Sequence, residues 1–104
     1  NRVVVVSACY SGQFVPALAE EHTLLMTAAA NDRPSFGCTS TAEWTYFGEA
    51  YFRNALPKLR KFAPAFDEAR KRIAEREKKE GFLPSVPQIR VGDGIRRVLD
   101  EMGL

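Results

Sequence analysis

The stretch Val3-Val4-Val5-Val6-Ser7-Ala8-Cys9-Tyr10-Ser11-Gly12 constrains this chain more than any other, because four β-branched residues in a row do not suit a strand with one wet face. Such a row over residues 2–8 reads as a central parallel strand, apolar on both faces, and it runs straight into a cysteine and a turn. A strand therefore delivers a thiol to its own carboxyl end. A strand of that kind needs neighbours on both sides, and the residues downstream offer few candidates. The expectation is that strands belonging beside Val3 to Val6 lie outside these residues, and that the chain is a fragment of a longer domain.

Gly12 closes the turn, and residues 13–20 hold at most two helical turns, with Pro16 in the first of them, where a proline is tolerated. The polar loop Glu20-Glu21-His22 precedes a second apolar run, residues 23–28, so a right-handed β-α-β unit is expected. Residues 29–39 form a long loop beyond the second strand, where open α/β sheets bind ligands. Ser40 with Glu43 reads as a capping box, which predicts a helix from about Thr41 to Leu56 with Trp44, Phe47, Tyr51 and Ala55 as its buried stripe. Tyr46 and Glu49 lie three apart on a neighbouring face of that helix, a face that could look toward the crevice. Pro57 and Pro64 bracket a basic connector. A charged helix over residues 65–80 follows, with Phe62, Phe66, Ala69 and Ile73 as its apolar line and Asp67/Lys71, Glu68/Arg72 and Glu75/Lys79 at ion-pair spacing. Gly81 stops it. Residues 88–91 alternate like an edge strand, and Asp93 caps a last helix whose Ile95, Val98, Leu99 and Met102 face the sheet until Gly103.

Composition narrows the function classes. Fifteen Lys+Arg against 13 Asp+Glu leave a net charge of +2, too balanced for a nucleic-acid footprint, and the aromatics are not interleaved with basic residues. No apolar run reaches the length of a membrane-spanning helix. Two cysteines, Cys9 and Cys38, lack the spacing of a zinc or redox site, and a single histidine, His22, builds no metal site alone, so no metal or cofactor is expected. Cys38 reads as a small buried hydrophobe.

Cys9 invites a different reading. A thiol becomes a nucleophile when ionised, which an imidazole, a cation or a helix N-terminus favours, and Cys9 lies between a strand and a helix start. Acyl transfer also needs a base and oxyanion donors, one of which can be the nucleophile's own N–H. His22 precedes the second strand at the end opposite to Cys9, so it reads as a surface histidine.

Four blocks taken in order, Ser7-Ala8-Cys9-Tyr10-Ser11-Gly12, Thr27-Ala28-Ala29-Ala30-Asn31-Asp32-Arg33, Ser35-Phe36-Gly37-Cys38 and Thr45-Tyr46-Phe47-Gly48-Glu49, resemble the legumain-type (asparaginyl endopeptidase) cysteine peptidases of the caspase-like clan. The resemblance implies an α/β fold, a caspase-like three-layer α/β/α sandwich with a mostly parallel sheet, of which this chain is the C-terminal part. It implies that Cys9 attacks the scissile carbonyl of a peptide or protein substrate, and that the general-base His comes from a strand preceding β-strand residues 2–8. Without that strand the segment is expected to be inactive. The resemblance further places Ser7, Ser35 and Glu49 in the pocket for the side chain before the scissile bond. Ser7 stands where asparaginyl enzymes have a glutamate, and Glu49 where they have an aspartate, so the pocket's preference extends to basic side chains. Ser35 as a turn residue and Glu49 as an ordinary helix-surface carboxylate stay open as alternatives. So does a catalytically silent relative serving as an interaction module. A glutamine amidotransferase is disfavoured because the Gly-x-Cys-x-Gly turn is missing. An exposed sheet edge would allow pairing with a second copy or with the rest of the domain.

Overall fold

The valine row forms strand β1 (Arg2–Val6) in the computed structural model, which describes residues 1–35 and 45–104. A turn of 3-10 helix (Ser11–Phe14) and one turn of α-helix, α1 (Val15–Leu18), return the chain to β2 (Thr23–Thr27). β1 and β2 pair in parallel, Arg2 opposite Thr23 and Val6 opposite Thr27, as the β-α-β expectation requires. β3 (Gln88–Val91) pairs with the other edge of β2 antiparallel, so the sheet is mixed, in the order β1-β2-β3.

Among the described residues β2 is the central strand: all five of its residues are buried, whereas Val3 is 38% exposed. Among the described residues β1 has one partner, and a strand with one partner cannot bury both flanks however apolar its sequence. The sheet is not mostly parallel. The chain comes back from the charged helix through an extended proline-containing segment, which lets β3 enter from the opposite end without a crossover.

Leu24 and Met26 on β2, with Val5, Ile89 and Val91 beside them in register, form one sheet face that carries the core. Helical residues cover it. α2 (Tyr46–Gly48) runs without a break into a π-helical segment (Glu49–Ala55) and then α3 (Leu56–Leu59). Its start differs from the expectation: the Thr45 hydroxyl accepts from the Gly48 N–H at 3.0 Å and caps the helix. Ser40, Glu43 and Trp44 lie outside the described residues, as does Cys38. The helix also continues past Leu56 across Pro57. The Leu56 N–H reaches back five residues to the Tyr51 carbonyl, so Pro57, which has no N–H, stands where the wide π ladder reverts to α spacing. Only Arg60 and Lys61 then separate α3 from α4 (Phe62–Glu80), which begins three residues before the expected start.

Phe47, Tyr51 and Ala55 are buried as the stripe predicts, against Phe66, Ala69 and Ile73 of α4. Phe47 stacks on Tyr51 with ring centroids 5.7 Å apart, and Phe66 meets Phe47 at 6.2 Å. Of the expected ion pairs, Glu68 and Arg72 meet at 3.1 Å, while Asp67 lies against Arg70 at 3.6 Å. Gly81 and Gly103 end α4 and the last helix, α5 (Asp93–Met102), in the left-handed conformation. Gly92, not Asp93, is the cap of α5. A side chain at position 92 would meet the carbonyls of Glu20 and Glu21, so glycine takes the cap and Asp93 the first turn, where its charge favours the helix dipole. No described helix is long and apolar enough to cross a membrane.

The Tyr51 hydroxyl donates to the Phe62 carbonyl at 3.1 Å, tying the π segment to the start of α4. Burial pushes its pKa up from 10 to about 12. Below pH 10 the phenol is protonated in folded and unfolded chains alike, and this contribution to stability is fully present. Between pH 10 and about 12 the unfolded chain releases the proton that the folded one keeps, so stability falls, by at most about 1.4 kcal/mol per pH unit. Tyr51→Phe is therefore expected to lose about 1 kcal/mol at pH 8 through the missing hydrogen bond, and to close that gap by pH 11. Urea midpoints of both proteins at the two pH values check this. Parallel declines would show that Tyr51 does not hold its proton.

Candidate active site

The valine strand ends at Val6, and Ser7 to Tyr10 continue past its carboxyl end, where the loop after β2 also arrives. The two are bonded together. The Ala28 N–H donates to the Val6 carbonyl at 2.9 Å, the Tyr10 N–H to the Arg33 carbonyl at 2.8 Å, and the Ala29 N–H to the Ser11 hydroxyl at 3.2 Å. Ser11 is fully buried, and Gly12 lies directly on the backbone of residues 29–31.

Tyr10 has φ 58°, in the left-handed region that a bulky residue rarely enters. The residue after the thiol thus sits on a strained turn, and such strain is kept only where neighbours over-determine it. Here the neighbours are its own N–H on Arg33, the Gln13 N–H on its carbonyl at 3.1 Å, and the Ser11 N–H on the Ala8 carbonyl at 3.3 Å. Among the described residues no acceptor takes the Cys9 N–H.

Cys9 is half-buried and its sulfur meets Ser35. The thiol donates to the Ser35 carbonyl at 3.3 Å, the Ser35 N–H is aimed back at sulfur at 3.3 Å, and the Ser35 hydroxyl lies 3.7 Å away. Ser7, on the strand side of the thiol, has its hydroxyl 3.3 Å from that of Thr45, the cap of α2. The structure therefore gathers Cys9, Ser35, Ser7 and Thr45 around one end of the sheet.

Glu49 stands one turn further along that helix, inside the π segment, and its carboxylate faces α4. Arg76 approaches it at 3.7 Å, pairs with Glu80 at 3.6 Å, and lies over the Tyr46 ring with its guanidinium carbon 3.6 Å from the centroid. The Tyr46 hydroxyl donates to Glu80, which raises the phenol's pKa. Partial burial adds to the rise and the Arg76 charge opposes it. Tyr46, Glu49, Asn54, Arg72 and Arg76 line a pocket of about 170 Å³ between the two helices. A larger cavity of about 290 Å³ lies elsewhere, between the start of α4 and α5, and no residue of the Cys9 turn lines it.

His22 is exposed at the start of β2, where its carbonyl accepts from the Arg2 N–H at 2.9 Å. Arg2 begins β1 and Cys9 follows its end, so imidazole and thiol occupy opposite ends of the sheet. Among the described residues no cluster of three His, Cys, Asp or Glu is placed to hold a metal.

Sequence reasoning did not single out Thr45, Arg76 or the left-handed Tyr10. Thr45 had a readable signal, a hydroxyl residue directly before an aromatic helical stripe. Arg76 had none, because α4 carries several arginines and lysines at similar spacing.

A model of the peptidase C13 family matches residues 1–97. No curated protein and no solved structure matches the chain.

Proposed function

Because the chain belongs to the peptidase C13 family, the legumain family, we propose that it carries the nucleophile of a cysteine endopeptidase and that Cys9 is that nucleophile. The observation that supports this most directly is the strained turn at the end of β1. It presents a half-buried sulfur with a backbone N–H aimed at it and leaves the Cys9 N–H without an acceptor among the described residues.

In this reading the Cys9 thiolate attacks the carbonyl carbon of the scissile peptide bond, and a tetrahedral oxyanion forms. The Cys9 N–H donates a hydrogen bond to that oxyanion, a kind of stabilisation that is usually the largest single contribution to acyl transfer. The intermediate collapses to a thioester and the amine leaves with a proton from a general acid. Water, deprotonated by the same group, then hydrolyses the thioester.

His22 is at the wrong end of the sheet to be that group. The proposed source is a strand paired with the open edge of β1, whose end lies beside Cys9, and whose addition would make β1 the central strand that its four valines suit. With further helices on the second face, the sheet becomes the caspase-like three-layer sandwich of the family's fold. Ser7, Ser35 and Glu49 are the proposed lining of the pocket for the substrate side chain. Ser35 meets the thiol, and Ser7, two residues before Cys9, lies against Thr45, the cap of the helix that carries Glu49. Glu49 lies one turn beyond Thr45 with Arg76 partly balancing its charge, which would leave the pocket less biased toward basic side chains than a lone carboxylate would.

An inactive relative used as an interaction module is the rival reading, favoured by the position of His22 alone. One experiment separates the two. Treated with iodoacetamide, the full-length protein is expected to be alkylated at Cys9 about tenfold or more faster than at Cys38, with peptide cleavage lost in step. Slow and equal labelling of the two cysteines would remove the peptidase reading.

A further inference from the structure

Glu77 is buried, 2% exposed, one helical turn beyond Ile73 on the core face of α4. A carboxylate in that position is costly unless it is bonded, and the chemistry proposed for Cys9 does not use it. Both of its oxygens accept from one donor, the Ser85 N–H, at 3.0 and 3.2 Å.

What Ser85 holds gives the contact its consequence. Ser85 is buried, and its carbonyl accepts from the Ala30 N–H at 2.8 Å. The Ala30 carbonyl accepts from the Arg33 N–H at 3.2 Å, and the Arg33 carbonyl from the Tyr10 N–H at 2.8 Å. The series begins on α4 and ends on the residue that follows Cys9. Two residues beyond Arg33, Ser35 holds the sulfur by its N–H and its carbonyl.

Backbone conformation points the same way. Val86, next to Ser85, has φ 54°, and Tyr10 has φ 58°. Left-handed backbone at a β-branched and at a bulky residue persists only where the surroundings fix it. One of the two strained residues, Tyr10, is the last member of the Glu77-anchored series, and the other, Val86, adjoins Ser85, its first backbone link.

We propose that Glu77 is a positioning residue for the Cys9 thiol, acting through Ser85 and the turn at residues 30–33. The proposal rests on the reading of Cys9 as the nucleophile. Successive links belong to different peptide groups, so Glu77 transmits position to the thiol and not charge. Its side chain touches neither the sulfur nor, in this reading, the substrate.

The test compares Glu77→Ala and Glu77→Gln with the parent protein by amide hydrogen exchange and by the rate of Cys9 alkylation with iodoacetamide. In Glu77→Ala the Ser85, Ala30 and Tyr10 amides are expected to exchange about tenfold faster while the amides of β2 hold their rates, because the opening is local. Cys9 alkylation is expected to change by roughly fivefold in the same variant, with the loss in cleavage falling on kcat and not on KM. Glu77→Gln keeps one acceptor and should show the same pattern at about twofold, which serves the test if the alanine variant fails to fold. Acceleration spread evenly over β2 and α5, or no change at Tyr10 and Cys9 in a folded variant, would overturn the proposal. Failure of the nucleophile reading itself has a different signature, since Cys9→Ala would then leave cleavage intact whatever the exchange pattern.

Discussion

Cys9→Ala is expected to reduce peptide cleavage by the complete domain at least about 10⁴-fold, and to shift stability by no more than about 1 kcal/mol. The first number follows from what is removed. Without sulfur there is no covalent intermediate, and what remains is substrate binding and the backbone donors, which in comparable acyl-transfer sites leave only a small residual rate. The second follows from the contacts. The Cys9 side chain is half-buried, and its bonds to Ser35 are sulfur bonds of 3.3 Å with one partner residue. Alanine leaves the Tyr10 turn and its bonds to Arg33 and Ala8 in place. The measurements are kcat/KM on a peptide substrate and the urea midpoint of each protein. A variant that keeps more than about one part in a hundred of the parent activity would place the nucleophile elsewhere, because removal of the attacking sulfur cannot leave so small an effect, whereas loss of an auxiliary group can.

The same residues show which features of the fold were readable from the chain and which were not. Element positions were readable where the pattern is local. The apolar runs located β1 and β2, the alternation at residues 88–91 located β3, and the spacing of Phe47, Tyr51 and Ala55 identified the buried side of their helix. Strand direction was not readable, because the same four residues of β3 pair equally well either way, and the return path of residues 81–87 decides it. The centrality of β2 over β1 depends on the number of partners, which hydrophobicity does not encode. Glu77 falls on the apolar line of α4 at the expected four-residue step from Ile73, yet it looks like one more charge on a charged helix until Ser85 is brought to it across the turn.

The site divides in the same manner. Cys9 and Ser35 stood out in the sequence because the blocks that contain them keep a family's order; the structure shows the two within bonding distance, and their roles are those proposed above. Glu49 was legible as a position on the helix but not as a partner of Arg76, since that contact is made by an arginine 27 residues further along the chain, on another helix. The π segment that carries Glu49 left no pattern in the sequence beyond Pro57 at its end. Such wide turns recur at functional sites, and this one widens the helix beside the pocket for which Glu49 is proposed.

Gly12→Ala is the substitution expected to do the greatest damage to the fold around the thiol. A Cβ at this position would lie 2.5 Å from the Asn31 nitrogen, 2.7 Å from the Ala30 carbonyl carbon and 2.9 Å from the Ala29 oxygen. All three are backbone atoms, so no rotamer change relieves the overlap, and the loop after β2 must move away as a unit. That loop is held by the bonds that hold the site: Ala29 to the Ser11 hydroxyl, Ala30 to Ser85, and Tyr10 to Arg33. Overpacking of a tight contact costs about 1–3 kcal/mol, and loss of even one of these buried bonds brings the expected total to roughly 3 kcal/mol or more. For a chain of this size that corresponds to a fall in Tm of about 15 °C. Gly81→Ala provides the contrast. Gly81 has φ 77° and nothing within 4 Å of its missing Cβ, so the cost there is conformational strain alone, about 1 kcal/mol. Thermal unfolding of the two variants side by side separates close approach from strain. If Gly12→Ala were no less stable than Gly81→Ala, the loop would not be seated on the Cys9 turn, and the alignment of Ser35 with the sulfur would need another cause.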